Sequence, residues 1–351
     1  MTDYGRKAAD NEIAALEKRI HRIFTECANG LQNDITEYFA RFAQREREMI
    51  AAINAGTYPI PAGMDAAQYL QQWRLNQYLR GIHYIQLQNK CADAIANAHE
   101  LAILYTNDRM PVVYAANRMF SAFEMDLISG GKYSANVDFV LWDSATVRRL
   151  LKEPDTNLMP NYPKSKTLQR NINMDWSKRQ ITAQITQSII LGHSGAKMRR
   201  ELQKRIVSMS DASARRTVRT AVTAAENAGR LDTMEQATRL GIEYKKRWMC
   251  TKDKHTRESH RKLDGKIVGW NELFTSPLGG KLSAPGDNKH GAKPADLYNC
   301  RCRIVTVDKT ERDADDHQMR VRNPVTGRTE VIKASDYSKW QKMLAEKGVN
   351  V

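Results

Sequence analysis

The chain has 351 residues, enough for two or three domains with at least one sizeable core, and an ordinary hydrophobic content of 41% excludes a disordered chain. No run of about 18 apolar residues is present and the first residues, MTDYGRKAADNEIAALEKR, hold no apolar signal segment, so the sequence predicts a protein made in the cytosol, neither membrane-spanning nor exported by the usual route. A formal charge of +15 and a pI near 9.6 favour contact with a polyanion or an acidic protein surface.

Residues 8–52 carry one long helical pattern. Ile13, Leu16, Ile20, Ile23, Cys27, Leu31, Ile35, Phe39 and Phe42 recur every three or four positions without a proline. Gly56 and TYPIPAGMD break it, and Asp65 is placed to cap a second long helix through Trp73, Ile82, Ile85, Cys91 and Ile95 to about Thr106. Two such helices joined by a short connection predict an antiparallel hairpin over 1–110, a candidate surface for assembly or docking. From 111 to 174 the pattern loosens. GGK, KEP, LMP and NYP punctuate short apolar runs such as VDFVLW, which predicts an irregular or mixed linking segment.

Helices return at Asp175. DWSKRQITAQITQSIILG sets Ile181, Ile185 and Ile189 on one face and ends at Gly192. HSGAKMRRELQKRIV predicts a second helix, and an alanine-rich third one starts at a Ser or Asp cap near 210 and closes at Gly241. Between Lys197 and Arg219 eight basic residues face two acidic ones: Lys197, Arg199, Arg200, Lys204, Arg205, Arg215, Arg216 and Arg219. They read either as a solvated helix face or as a patch for DNA phosphates.

After Gly241 the character changes. IEYKKRWMCT alternates with period two and predicts a strand, with Tyr244, Trp248 and Cys250 on one side. A polar loop and a Gly- and Pro-rich stretch follow, then NCRCRIVTVD as another strand. The tail predicts a hairpin over MRVRNPVTGRTEVIKA, turning at 323–327, and a last helix from Ser335. The fold class expected is therefore mainly α, with a long N-terminal helical hairpin and a small α+β C-terminal domain.

Three of the five cysteines, Cys250, Cys300 and Cys302, cluster with three histidines within about fifty residues. On a strand, Cys300 and Cys302 share a face and can meet one ion. His260 is the best-placed third ligand of a structural Zn²⁺, with Cys250, His255 or His290 as the fourth. The plain alternative is a core thiol, a solvent-facing thiol and loop histidines. Asp253, His255, His260 and Asp264 also permit a metal-dependent nuclease reading, although no second acidic cluster accompanies them. No phosphate-cradling Gly-rich loop and no Ser–His–Asp signature is legible.

RWMCTKDKHTRESHRKLDGKIV, the loop APGD and LYNCRC, taken in order, resemble the domain of phage Mu protein F-like minor head proteins, the head morphogenesis family that includes SPP1-type minor capsid proteins. The residues that carry the resemblance are Trp248, Thr251, Asp253, Arg257, His260, Leu263, Asp264, Gly265, Pro285, Gly286, Asp287, Asn299, Cys300, Arg301 and Cys302. Arg219, Thr220, Glu226 and Asn227 stand where the family's Arg-Thr-rich helix has them. The resemblance covers roughly 175–310, with FVLWDSATVRRLL (139–151) as part of the same pattern and 311–351 as a separate tail. Asn288 follows PGD where a second proline is common. The resemblance implies a low-copy structural component of a tailed-phage head, not an enzyme. Implied with it are portal, capsid or scaffold proteins and double-stranded DNA as partners, and roles in head assembly and DNA packaging or delivery. Some relatives carry toxin or ADP-ribosyltransferase domains after this module, for which 311–351 is too short.

Overall fold

The protein is described by a computed structural model over residues 3–132, 170–239, 241–242, 244–323 and 328–346. It falls into two units by internal contacts. One draws on Glu17–Leu104 and Tyr162–Arg215, the other on Met1–Leu16, Tyr105–Asn161 and Arg216–Val351. The fold class is as expected, mainly helical with small antiparallel sheets in the C-terminal region.

The first apolar stripe forms α1 (Tyr4–Gly30) and α2 (Gln32–Asn54), not one helix. The interruption is a single residue, Leu31, after Gly30, the poorest helix former in the run apart from proline. Helical bonding passes through it: Leu31 N donates to Cys27 O (3.2 Å) and Ile35 N to Leu31 O (3.0 Å). Asp65 caps α3 (Ala66–Tyr78) as expected, its carboxylate accepting from Gln68 N while the Gln68 side chain accepts from Asp65 N. The second helix does not run on to Thr106, however. Gly81, at φ +86°, turns the chain between α3 and α4 (Ile82–Ile128).

The helix α4 also corrects the expectation that the pattern loosens at 110. It continues through Pro111, because Met110, Val113, Tyr114, Phe120, Phe123 and Leu127 are buried along it and outweigh one missing backbone donor. Gly130 and Gly131 close it, their amides returning to Leu127 O and Asp126 O. VDFVLW and FVLWDSATVRRLL lie outside the described residues.

Helix α5 (Arg170–Ile190) ends near Gly192 as predicted, and the next two predicted helices are one, α6 (Gly195–Arg239). The polar cluster near 208–211 contains neither Gly nor Pro, and Ser208 Oγ bonds back to Arg205 O (3.2 Å) within the helix instead of starting a new one. In the first unit Ile181, Ile185 and Ile189 of α5 and Met198, Leu202 and Ile206 of α6 join Ile35, Phe39, Tyr78, Cys91 and Ile95 in one core. Inside it Glu46 accepts from Arg74 Nε (2.7 Å) and Tyr78 Oη (2.7 Å), so the buried charge is paired and hydrogen-bonded.

The second unit contains β1 (Lys245–Met249), helix α7 (Glu258–Arg261), β2 (Ile267–Gly269), β3 (Phe274–Thr275), β4 (Lys281–Leu282), helix α8 (Pro294–Leu297) and β5 (Arg303–Val307). Its main sheet has the order β2-β1-β5, all antiparallel, with Lys245 opposite Val307 and Met249 opposite Arg303. The predicted hairpin is β6 (Gln318–Arg322) with β7 (Thr329–Lys333); its turn at 324–327 lies outside the described residues. The last helix, α9 (Tyr337–Glu346), follows a short turn over 334–336 and does not begin at Ser335; Asp336 accepts from Lys333 N at the turn. Trp248, Leu263, Phe274, Ile304, Phe123 and Trp340 belong to one buried core. Among the described residues no helix is long and apolar enough to cross a membrane.

Candidate metal centre

The thiols do not lie on a strand. β5 begins at Arg303, and Cys300-Arg301-Cys302 leads into it from a turn at Tyr298-Asn299, with Asn299 at φ +55°. Asn tolerates that conformation better than most side chains, which gives it a physical reason to stand there. The segment after the turn wraps one sulfur, since Cys302 N donates to Cys300 Sγ (3.4 Å). Cys250 lies just past the end of β1 and Cys302 just before β5, both beyond the last ladder pair, Met249 with Arg303. His260 is carried on α7, and Leu263-Asp264-Gly265 turns the chain back to the sheet. There Gly265 takes φ +78°, Gly265 N donates to Trp248 O (2.8 Å) and Asp264 accepts from Cys250 N (2.8 Å).

These elements bring together the four residues expected from the sequence. His260 Nδ1 lies 3.5 Å from Cys300 Sγ and 3.4 Å from Cys302 Sγ, and Cys302 Sγ lies 3.4 Å from Cys250 Sγ. Among the described residues His260, Cys300 and Cys302 form the group whose ligand atoms lie within 4.8 Å of one another, and all three are buried. Cys250 stands beside it, its thiol donating to His260 O (2.8 Å). His255 and His290 are not part of that group. His255 N donates to Asp253, and His290 Nδ1 is 2.6 Å from Asp287.

The local electrostatics favour a thiolate at Cys300. Hydrogen bonding with Cys302, whose backbone N–H points at the sulfur, together with the His260 ring overrides burial and holds the Cys300 thiol well below its ordinary range. The shared bonds with Cys250 and Cys300 push Cys302 in the opposite direction. At His260 burial opposes the charged ring, but the bond to Cys300 and its charge outweigh burial and the pKa is raised. A thiolate, two further thiols and an imidazole suit Zn²⁺, which prefers sulfur and nitrogen donors in a tetrahedron.

Helix α6 holds this turn. Thr220, Thr223 and Asn227 recur at i, i+3 and i+7, so they share one face. Asn299 N donates to Thr220 Oγ1 (2.9 Å), Thr223 Oγ1 donates to Cys300 O (2.6 Å), Asn227 Nδ2 donates to Cys302 O (3.3 Å), and Ile304 N donates to Asn227 Oδ1 (2.8 Å). Gly286 of the Pro285-Gly286-Asp287 loop lies against the same helix. A Cβ there would stand 2.8 Å from Ala224 Cα, at a φ of +89°. Asp287 then accepts from Ser283 N, Ser283 Oγ and Lys289 N and closes its own loop.

The remaining motif residues are also fasteners. Asp253 takes both ends of the Arg301 guanidinium (2.5 and 2.8 Å), which holds its carboxyl below the usual range. Thr251 Oγ1 donates to Arg301 O (3.0 Å), and Arg257 Nη2 donates to Tyr298 O. Trp248 is fully buried, edge-on to both His260 and Phe274. The carboxylates considered for a nuclease, Asp253 and Asp264, are thus engaged with Arg301 and with the Cys250 amide. Among the described residues the cluster of close ligand atoms includes no carboxylate.

Two residues of the site escaped the sequence reading. Thr223 could have been found as the middle member of the Thr220–Asn227 face. Asp296 is fully buried with Oδ1 3.5 Å from His260 Nε2, and no spacing rule links it to a histidine 36 residues earlier.

The basic residues of α6 do not form a single free surface. Lys197, Arg200 and Lys204 are exposed at i, i+3 and i+7, with Lys204 3.3 Å from Glu201. Arg205 donates to Gln180, the half-buried Arg199 donates to Thr36, and Arg215 lies 3.9 Å from Glu17. Arg216 is exposed and Arg219 half-buried.

Residues 179–305 match the family model described as Phage Mu protein F like protein. The chain is 28% identical over 340 residues to the minor head protein GP7 of Bacillus phage SPP1, covering 96% of this chain and 95% of that protein. It is also 37% identical over 131 residues to the NAD(+)--arginine ADP-ribosyltransferase EFV of Enterococcus faecalis. That match spans 36% of this chain and 26% of the transferase, so the transferase activity is a statement about that protein alone. No solved structure matches. The matched segment ends within β5, directly after the thiol turn, and the chain is similar there to phage Mu protein F-like proteins and over nearly its whole length to a minor head protein.

Proposed function

We propose that this chain is a structural, non-enzymatic minor head protein of a tailed phage. In this reading it resides in the virion, associated with the portal vertex and the head interior, and acts in head assembly and in DNA packaging or delivery. The observation that carries the reading is the likeness to a minor head protein over nearly the whole of both chains. The site chemistry supports it, because nearly every polar motif residue fastens one loop to another.

Docking on the portal protein is assigned to the helical region 1–110, where Ile82 and Leu104 of α4 are 66% and 61% exposed and offer apolar surface to a partner. Double-stranded DNA is assigned to the exposed basic residues of α6, through phosphates and without sequence preference. The buried Cys250, His260, Cys300 and Cys302 are assigned to one structural Zn²⁺.

Mass spectrometry of purified virions and procapsids tests the central claim. A few copies per particle are expected, and absence from both overturns it. Incubation with plasmid DNA and Mg²⁺, Mn²⁺ or Zn²⁺ is expected to give no cleavage. Cutting that disappears in His260→Ala replaces the structural reading with the nuclease. Affinity for duplex DNA is expected to fall steeply with salt, and a flat salt dependence removes the DNA assignment.

A further inference from the structure

His260 has two ring nitrogens with different surroundings. Nδ1 faces the sulfurs of Cys300 and Cys302 at 3.5 and 3.4 Å. Nε2 is buried, makes no hydrogen bond, and lies 3.5 Å from Asp296 Oδ1. Asp296 is 0% exposed and is held in place by two hydroxyls: Ser276 Oγ donates to Oδ2 (2.8 Å) and Ser259 Oγ to Oδ1 (3.3 Å). Among the described residues no Lys or Arg forms an ion pair with it. A carboxylate buried this deeply is costly without a positively polarised partner, and the His260 ring is the one beside it.

An ion on Nδ1 would provide that partner. A metal-ligating imidazole becomes a stronger donor at its other nitrogen, and a carboxylate there fixes the tautomer and the ring plane. The distances fit such an ion. Zinc bonds of about 2.3 Å to sulfur and about 2.0 Å to nitrogen at tetrahedral angles place ligating S and N about 3.5 Å apart, and two sulfurs about 3.8 Å apart. The S–N separations of 3.4 and 3.5 Å and the Cys302–Cys250 separation of 3.4 Å are close to those edges. Cys250 Sγ lies outside the group of ligand atoms within 4.8 Å of one another, and it reaches the fourth position by turning away from His260 O and releasing its proton.

We propose that Asp296 is the positioning residue of a closed four-ligand zinc site made by Cys250, His260 Nδ1, Cys300 and Cys302, holding the ring with Nε2–H toward its carboxylate and Nδ1 toward the ion. The proposal rests on the zinc reading given above and adds to it the ligating nitrogen, the fourth ligand and the outer partner. Binding releases the protons still carried by the three thiols, and the imidazole binds neutral.

The test uses the full chain, stripped with chelator under reducing conditions and titrated with Zn²⁺ against a chromophoric competitor and with Co²⁺ by absorption. The wild type is expected to bind one equivalent of either ion. Asp296→Asn is expected to lose about 10- to 100-fold in affinity while keeping the stoichiometry and the thiolate-to-cobalt bands. Cys250→Ser is expected to lose about a third of the thiolate-to-cobalt intensity, one sulfur of three. Should Asp296→Asn not fold, Ser276→Ala, which frees the carboxylate without removing it, is read instead and is expected to weaken binding several-fold. Absence of any binding by the wild type overturns the zinc reading itself. One equivalent in the wild type with unchanged affinity in the folded Asp296 variant, or in Ser276→Ala where that is the variant read, overturns the role of Asp296. An unchanged cobalt spectrum in Cys250→Ser overturns the fourth ligand.

Discussion

The two units of this protein are held together in different ways. The unit drawn from 17–104 and 162–215 rests on stripes, in which Ile181, Ile185 and Ile189 or Met198, Leu202 and Ile206 repeat one operation along a helix. Such a core gains its free energy from apolar area and spreads it over many equivalent positions. The region 245–307 has strands of two to five residues, too short to define a fold through backbone ladders alone. Beside its share of a buried core, it is held by single bonds between distant side chains and backbone, each with its own geometry. The first design tolerates many substitutions of similar volume; the second fails at particular atoms.

The largest break in the comparison is expected from emptying the thiol site. Chelation of the zinc-loaded protein is expected to expose 245–307 to limited proteolysis while most of the helical circular dichroism remains, because structural zinc contributes far more than any single contact. A uniform loss of helix and sheet together would show that the two units do not differ in this way. Within the helical unit Ile185→Ala is expected to cost about 2–5 kcal/mol in denaturant melts, against no more than about 0.5 kcal/mol for the exposed Ile85→Ala. Equal effects at the two positions would contradict the stripe. In the other unit Thr223→Val removes one hydroxyl with little change of volume. It leaves the Cys300 carbonyl without that donor, for an expected loss of about 1–3 kcal/mol.

The smallest effect expected is a pH dependence. Burial pushes the Glu124 carboxyl up to about 8, against the pull of Arg230. The folded state therefore binds this proton more tightly than the unfolded one. The contribution is complete below the ordinary value of 4.5 and is lost as pH rises through about 8. The melting temperature of the wild type is expected to fall more between pH 5 and pH 8.5 than that of Glu124→Gln. Parallel curves would remove Glu124 as the source.

The same division decides what could be read in advance. Helical stripes are periodic, so Leu16, Ile20, Ile23, Leu31, Ile35 and Phe39 announced their buried face. What periodicity does not carry is where a helix stops. Leu31 and Gly81 interrupt predicted helices, where glycine weakens or turns the chain, whereas Pro111 is carried through by the packing around it and the Ser208 region by local helical bonding. At the site, the residue types and His260 as a neighbour of the thiols were legible from spacing and motif order. The strand on which Cys300 and Cys302 were expected begins only at Arg303. A turn through Asn299 gives the same convergence of sulfurs by another route, and two-residue alternation cannot tell them apart. Asp296 was illegible for a different reason, since its role depends on a through-space approach to a nitrogen and not on any repeat.

The salt links at the start of the chain carry a consequence for synthesis. Asp3 lies 2.7 Å from Arg230 and 2.8 Å from Arg303, and Arg6 lies 3.0 Å from Glu226. These partners leave the ribosome long after residues 3–6 do; at about 5–20 residues per second Arg303 follows by about 15–60 s. Meanwhile the segments of the helical unit, which end at Arg215, are all available earlier. In vectorial synthesis the helical unit is thus free to fold first, while the opening turn of α1 waits for the later part of α6 and for β5 to receive it.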